Sequence, residues 1–234
     1  MRRLLNGIVS LGYGVIGGLY NRLVQLVAGL AIVAATAASA EDVSIVALGD
    51  SLTAGYGLVP EAGLVPQLEN WVRSQGHDVS LINAGVSGDT TAGGLARIDW
   101  VLSDNVDALI VELGANDMLR GIDPASAREN LNGILAAAQA RDLPILLIGF
   151  QAPGNFGPQY KEDFDSIYPE LAEAYGAILM PSFFGALVEG GDAATAADYL
   201  QADGLHPNPA GVARLIEAMA PFVLELIEST RSNE

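Results

Sequence analysis

Short apolar runs without an alternating polar face, separated by longer amphipathic stretches, most restrict how this 234-residue chain can fold. Runs at 43–48, 79–82, 108–113, 143–150 and 177–180 have the length of strands and read as buried on both faces. Between them the pattern predicts helices over 61–75, 91–102, 123–141 and 160–175, and a closing helix over 208–227. Leu64, Leu68 and Trp71 recur at helical spacing in the first. Asp123-Pro124 and Asn208-Pro209 each place a capping side chain before a proline at the first helical position. Pro221 is expected to kink the last helix. Strands alternating with helices need right-handed crossovers, which gives an α/β domain with a parallel sheet covered on both faces. One such domain is expected over 41–234, with no internal repeat.

The first forty residues read differently. They hold Arg2, Arg3 and Arg22, no acidic residue, and two apolar stretches separated by Asn21-Arg22. The second stretch ends in Ala38-Ser39-Ala40, a small-residue exit of the kind a signal peptidase accepts. The expectation is an export signal over 1–40 and a periplasmic or secreted product. A retained membrane anchor is the alternative, since about 20 apolar residues can span a bilayer.

The remainder carries 8 basic against 28 acidic residues. Such a surface disfavours nucleic acid and anionic headgroups, and no basic run compensates. With no cysteine, disulfides and thiolate metal sites are excluded. With two histidines and no HExxH motif, a catalytic zinc site has little to build on. His77, between Gly76 and Asp78 at a predicted helix end, reads as a surface residue.

Loops that follow parallel strands share one sheet edge, so residues far apart in sequence can meet there. Gly49-Asp50-Ser51 follows the first strand, Gly85-Val86-Ser87-Gly88-Asp89-Thr90 the second and Gly114-Ala115-Asn116-Asp117 the third, while Asp203-Gly204-Leu205-His206 precedes the last helix. Acyl transfer from a serine needs a base, a carboxylate to hold it and donors for the developing oxyanion. Ser51 is the candidate nucleophile, His206 the base and Asp203 its partner. The backbone amides of Ser51 and Gly88 and the side-chain nitrogen of Asn116 are candidate oxyanion donors. Each has a plainer reading. Ser51 could cap a helix, Asn116-Asp117 is a common turn pair, and Asp203 and His206 could form a surface turn. A G-x-S-x-G elbow is absent, which disfavours an α/β-hydrolase.

Four blocks in this order resemble the SGNH (GDSL) hydrolase family: Gly-Asp-Ser-Leu at 49–52, Ser-Gly-Asp-Thr at 87–90, Gly-Ala-Asn-Asp at 114–117 and Asp-Gly-Leu-His-Pro at 203–207. Within it the chain is similar to the bacterial thioesterase I/lysophospholipase L1/arylesterase group, over nearly all of 43–226. The resemblance implies a flavodoxin-like three-layer α/β/α sandwich with a five-stranded parallel sheet. It implies ester and thioester hydrolysis without metal or organic cofactor, through a Ser51–His206–Asp203 triad with Ser51, Gly88 and Asn116 as the oxyanion hole. It also suggests substrate contacts at Met118, Leu119, Ala152 and Phe156, and a mobile segment over 118–122. Ala115 stands where relatives often have glycine, and Ala152 is small where a larger apolar residue can occur. Leu58 and Val59 are further apolar candidates for an acyl pocket.

The expected partner is a small acyl ester or thioester, with transient lipid contact open and the oligomeric state undetermined by the sequence. An O-acetylated carbohydrate would suit the same machinery. A non-catalytic anion- or flavin-binding protein of flavodoxin-like fold is the reading from a different class.

Overall fold

The computed structural model describes residues 42–102, 105–188 and 193–231. The expected export segment at 1–40 lies outside the described residues.

Five strands form one parallel sheet: β1 (Val43–Gly49), β2 (Val79–Gly85), β3 (Ala108–Glu112), β4 (Ile145–Ile148) and β5 (Ile178–Met180), in spatial order β2-β1-β3-β4-β5. The helices are α1 (Ser51–Ala54), α2 (Leu64–Ser74), α3 (Thr91–Val101), α4 (Ala115–Arg120), α5 (Pro124–Gln139), α6 (Pro158–Asp165), α7 (Ile167–Tyr175) and α8 (Pro209–Arg231). α2 packs beside α8 in one layer, and α3, α5 and α7 pack in the other. Ile45, Leu48, Leu109 and Leu147 of the sheet and Leu131, Leu215 and Leu226 of the helices are fully buried between them. At about 1.5–3 kcal/mol for each large apolar side chain taken out of water, this double-sided burial is the main drive for the three-layer arrangement. The expected α/β/α sandwich is present.

β1 has β2 on one side and β3 on the other, so the chain reverses its direction of travel across the sheet at β1. The carboxyl end of such a strand opens on a crevice between diverging loops, and this is where open α/β sheets place ligands.

Local differences from the sequence expectation have physical causes. β2 continues to Gly85 because Asn83, Ala84 and Gly85 keep pairing with Ala47, Leu48 and Gly49, and an edge strand tolerates the polar Asn83. The single helix expected over 160–175 is two. Pro169 lacks the N–H that would bond the carbonyl of residue 165, and its ring would press on that carbonyl, so α6 stops at Asp165. α8 runs through Pro221 as one helix. Residues 115–120, read as loop, are helical; Ala115 is a good helix former, whereas Gly114 before it holds φ 120°. A Cβ at Gly114 would come within 2.1 Å of the Tyr168 hydroxyl, so glycine is required there.

Candidate active site

Gly49 ends β1 with so little room that an added Cβ would meet the Thr53 hydroxyl at 2.0 Å. Glycine is therefore needed at this point, where the chain turns into α1. Asp50 is its N-cap, with Oδ1 accepting from the Leu52 amide at 2.9 Å, and Ser51 is its first residue. The plain reading of a serine cap after a strand thus belongs to Asp50. Ser51 is left free to face the crevice.

On the other side of the crevice, a turn ahead of α8 carries the second half of the site. Asp203 Oδ1 accepts the amides of Leu205 and His206 at 3.0 and 3.1 Å, and its Oδ2 lies 2.6 Å from His206 Nδ1. Those backbone bonds and the histidine bring the Asp203 carboxyl down to about 2, so it is ionised and can only accept. Nδ1 therefore carries the proton, and Nε2 is the acceptor for the Ser51 hydroxyl, 2.8 Å away. Gln201 ties the two halves together: its Nε2 donates to the carbonyls of Tyr56 at 2.8 Å and Pro207 at 3.0 Å. Tyr56 lays its ring against His206, with centroids 4.5 Å apart.

The loops after β2 and β3 supply the remaining candidates. Gly88 holds φ 83°, a left-handed conformation that favours glycine. Asn116, in the first turn of α4, donates Nδ2 to Asp50 Oδ2 at 2.9 Å and accepts at Oδ1 from Arg120 Nη2 at 3.2 Å. Asp117 is buried and does not face the crevice. It accepts the Thr91 amide and hydroxyl at 2.9 and 2.6 Å, which bolts the start of α3 to α4. Arg97 donates to Asp89 Oδ2 at 2.9 Å and to the carbonyls of Ala84 and Gly49 at 2.8 and 3.0 Å, joining the ends of β1 and β2.

Two buried carboxyls lie beneath Ser51. Asp50 is pushed up to about 6, chiefly by burial, while the bonds from Leu52 and Asn116 pull the other way. Glu112, paired in register with Gly49, accepts at Oε2 from the Thr53 amide at 3.2 Å and hydroxyl at 2.7 Å; its Oε1 is buried and without a hydrogen-bond partner. Burial, and then the charge of Asp50, hold Glu112 well above the usual carboxylate range. The folded chain therefore keeps this proton at a pH where the unfolded chain has released it. The stability Glu112 contributes is complete below pH 4.5 and is lost as the pH rises towards its folded value. Glu112→Gln mimics the protonated form, so its melting temperature should match wild type near pH 4 and exceed it at pH 8. Parallel melting curves across that range check this.

Ser51, Gly88, Asn116 and His206 all border one cavity of about 340 Å³, whose apolar wall is Leu52, Tyr56, Met118, Leu119, Phe184 and Leu205. Met118 and Leu119 thus stand where the sequence expected substrate contacts. Ala152 and Phe156 lie outside the lining. Ala152 is buried, its amide donating to Asp165 Oδ1 at 2.7 Å and its carbonyl accepting from Lys161 Nζ at 2.8 Å. Phe156 packs on Tyr160 with centroids 5.1 Å apart and over Gly121. Leu58 borders a smaller cleft beside Ser51 and His206, and Val59 is exposed. Tyr56, Phe184 and Leu205 were not expected. Leu205 sits within the fourth motif block and could have been found there, and Tyr56 lies four residues after the first block. Phe184 arrives from the end of β5, backed by Phe150 and Phe183 at 5.9 and 5.3 Å.

The arrangement can take a hydroxyl proton from Ser51, hold the resulting imidazolium against Asp203 and offer donors beside an apolar chamber. Comparison with known proteins points the same way. The chain is similar to Esterase TesA of Pseudomonas aeruginosa, with 38% identity covering 85% of this chain and 96% of the relative. It is also similar to Thioesterase 1/protease 1/lysophospholipase L1 of Escherichia coli K12, with 36% identity over 73% of this chain and 78% of that protein. Among solved structures, AlinE4, an SGNH-hydrolase family esterase, shares 46% identity with a TM-score of 0.66, covering 80% of this chain and 98% of that one. The psychrotrophic esterase EstA from Pseudoalteromonas sp., solved inhibited by monoethylphosphonate, gives 34% and 0.71, covering 80% and 100%. The model of the GDSL-like lipase/acylhydrolase family matches residues 47–214, and it is to this family that the chain belongs.

Proposed function

We propose that this hydrolase cleaves carboxylic esters of short to medium acyl chains, and their thioesters, with Ser51 as nucleophile. His206 Nε2 takes the Ser51 proton as Oγ attacks the acyl carbonyl, and Asp203 holds the imidazolium that forms. The amides of Ser51 and Gly88 and Asn116 Nδ2 receive the oxyanion. His206 returns the proton to the leaving alcohol or thiol. Water, deprotonated by the same histidine, then releases the acid from acyl-Ser51. The observation that carries this reading is the unbroken chain from Ser51 Oγ through His206 to Asp203, at 2.8 and 2.6 Å, opening on an apolar chamber.

The chamber sets the substrate class. Its apolar wall favours an acyl chain over a sugar ring, and its volume lies at the small end for ligand sites. A series of p-nitrophenyl esters from acetate to dodecanoate, run beside acyl-coenzyme A thioesters and acetylated sugars, tests this. Highest kcat/KM on esters of four to eight carbons, about, is expected from the chamber size. Preference for the acetylated sugars would overturn it.

We further propose that residues 1–40 direct export and are removed after Ala40, placing the enzyme in the periplasm or outside the cell. Arg2, Arg3 and Arg22, the apolar stretches and Ala38-Ser39-Ala40 support this. Among the described residues no helix is long and apolar enough to cross a membrane. Intact-mass measurement on protein recovered from a secreting host should give a chain starting at Glu41; a retained full-length chain in the membrane fraction would mean an anchor.

A further inference from the structure

An oxyanion donor helps only if its N–H is already aimed when the charge develops. A side-chain amide has two ends of nearly equal size, so an asparagine left alone presents either to the same place. Around Asn116 the two ends are told apart by charge. Nδ2 gives one hydrogen to Asp50 Oδ2 at 2.9 Å, and Oδ1 accepts from Arg120 Nη2 at 3.2 Å. The carboxamide lies between an anion and a cation with its own dipole aligned. Turning it over would set oxygen against carboxylate and NH₂ against guanidinium. The second hydrogen of Nδ2 remains for the cavity that Asn116 borders. The same Arg120 Nη2 also donates to the Gly88 carbonyl at 2.9 Å.

We propose that Arg120 is a positioning residue for the oxyanion hole: one nitrogen, shared between Asn116 Oδ1 and the Gly88 carbonyl, holds both non-serine donors in place, with Asp50 as the opposing anchor of Asn116. The inference rests on the reading of Ser51 as nucleophile and of Asn116 and Gly88 as oxyanion donors. Arg120 follows Met118 and Leu119 of the cavity wall directly in sequence, so a role in the acyl pocket is the rival explanation.

Kinetics of Arg120→Met, Asn116→Ala and the double variant on p-nitrophenyl acetate and hexanoate separate the two. Arg120 is exposed, so its replacement should leave the melting temperature nearly unchanged. Loss of one donor costs about 10²–10³ in kcat, and a donor left unaligned should cost less, about 10- to 30-fold. The expected result is that loss in kcat for Arg120→Met, equal for both esters, with KM within about twofold. Against an Asn116→Ala background the same change should cost less, under about fivefold, because only the Gly88 carbonyl is then left for Arg120 to hold. No loss, an equal loss in both backgrounds, or a loss in KM that grows with acyl length would overturn the proposal. Ser51→Ala in the same assay keeps the two levels apart. Turnover surviving in that variant removes the nucleophile reading and this inference with it. An inactive Ser51→Ala beside a fully active Arg120→Met removes the inference alone.

Discussion

Ser51→Ala is expected to lower kcat on a p-nitrophenyl ester by about 10⁵-fold or more while leaving the fold and melting temperature close to wild type. The size follows from what is lost: without Oγ there is no acyl-enzyme, and His206 and Asp203 have no nucleophile to activate. What is left is binding and the oxyanion donors acting on adventitious water. The fold should not respond, because Ser51 is only partly buried and its hydroxyl bonds the solvent-facing side of the site, not the core. The N-cap of α1 is Asp50, so removing the serine hydroxyl does not uncap the helix. Steady-state kinetics with a thermal melt on the same sample check both halves. An active variant would show that the contact with His206 is not used in turnover.

Asp203→Asn should cost about 10³–10⁴-fold in kcat, and the geometry shows why a nearly isosteric change is so damaging. Oδ1 is fixed as an acceptor by the amides of Leu205 and His206. In the variant the amide oxygen would keep that place, which turns the NH₂ towards His206 Nδ1. Two donors cannot share that bond. The ring must then carry its proton on Nε2, where it can no longer accept from Ser51. The Asp203 side chain is 38% exposed, against 17% for His206, so water can partly replace it and the loss should stay below that of Ser51→Ala. Acid behaviour follows from the carboxyl standing at about 2. Its stabilising share is full above pH 3.8 and is lost only as the pH falls towards 2. Melting curves of wild type and Asp203→Asn should therefore converge as the pH falls from about 4 towards 2.

What could be read from the sequence was what depends on composition along the chain. The strands announced themselves as apolar runs, because a parallel sheet is buried on both faces over most of its area and few polar residues interrupt them. Ser51, Asp203 and His206 were legible for a different reason: with His77 beside a helix end, His206 was the one base that an activated serine could use. Elements that depend on short-range context were harder. α4 spans six residues between two glycines, too short for periodicity to register, and the break at Asp165 is written in Pro169, four residues later. The supporting shell was least legible. Asp50, Glu112, Arg97 and Arg120 each have a partner 32 to 66 residues away: Asn116, Thr53, Gly49 and Gly88. Glu112 did leave a trace as a lone acid at the end of an otherwise apolar strand, where burial forces it to find Thr53. Ala152 and Phe156 fall outside the cavity lining, because position in the loop after β4 does not say which side chains turn towards the chamber.

The central claim is that Ser51 is an activated nucleophile. Intact-mass spectrometry after exposure to a fluorophosphonate tests it directly, since only a serine with an assembled base displaces the fluoride at a useful rate. Wild type should gain the mass of one phosphonyl group, and folded Ser51→Ala should gain none. A folded wild-type protein that takes up no label, or a Ser51→Ala variant that takes it up equally, would contradict the account.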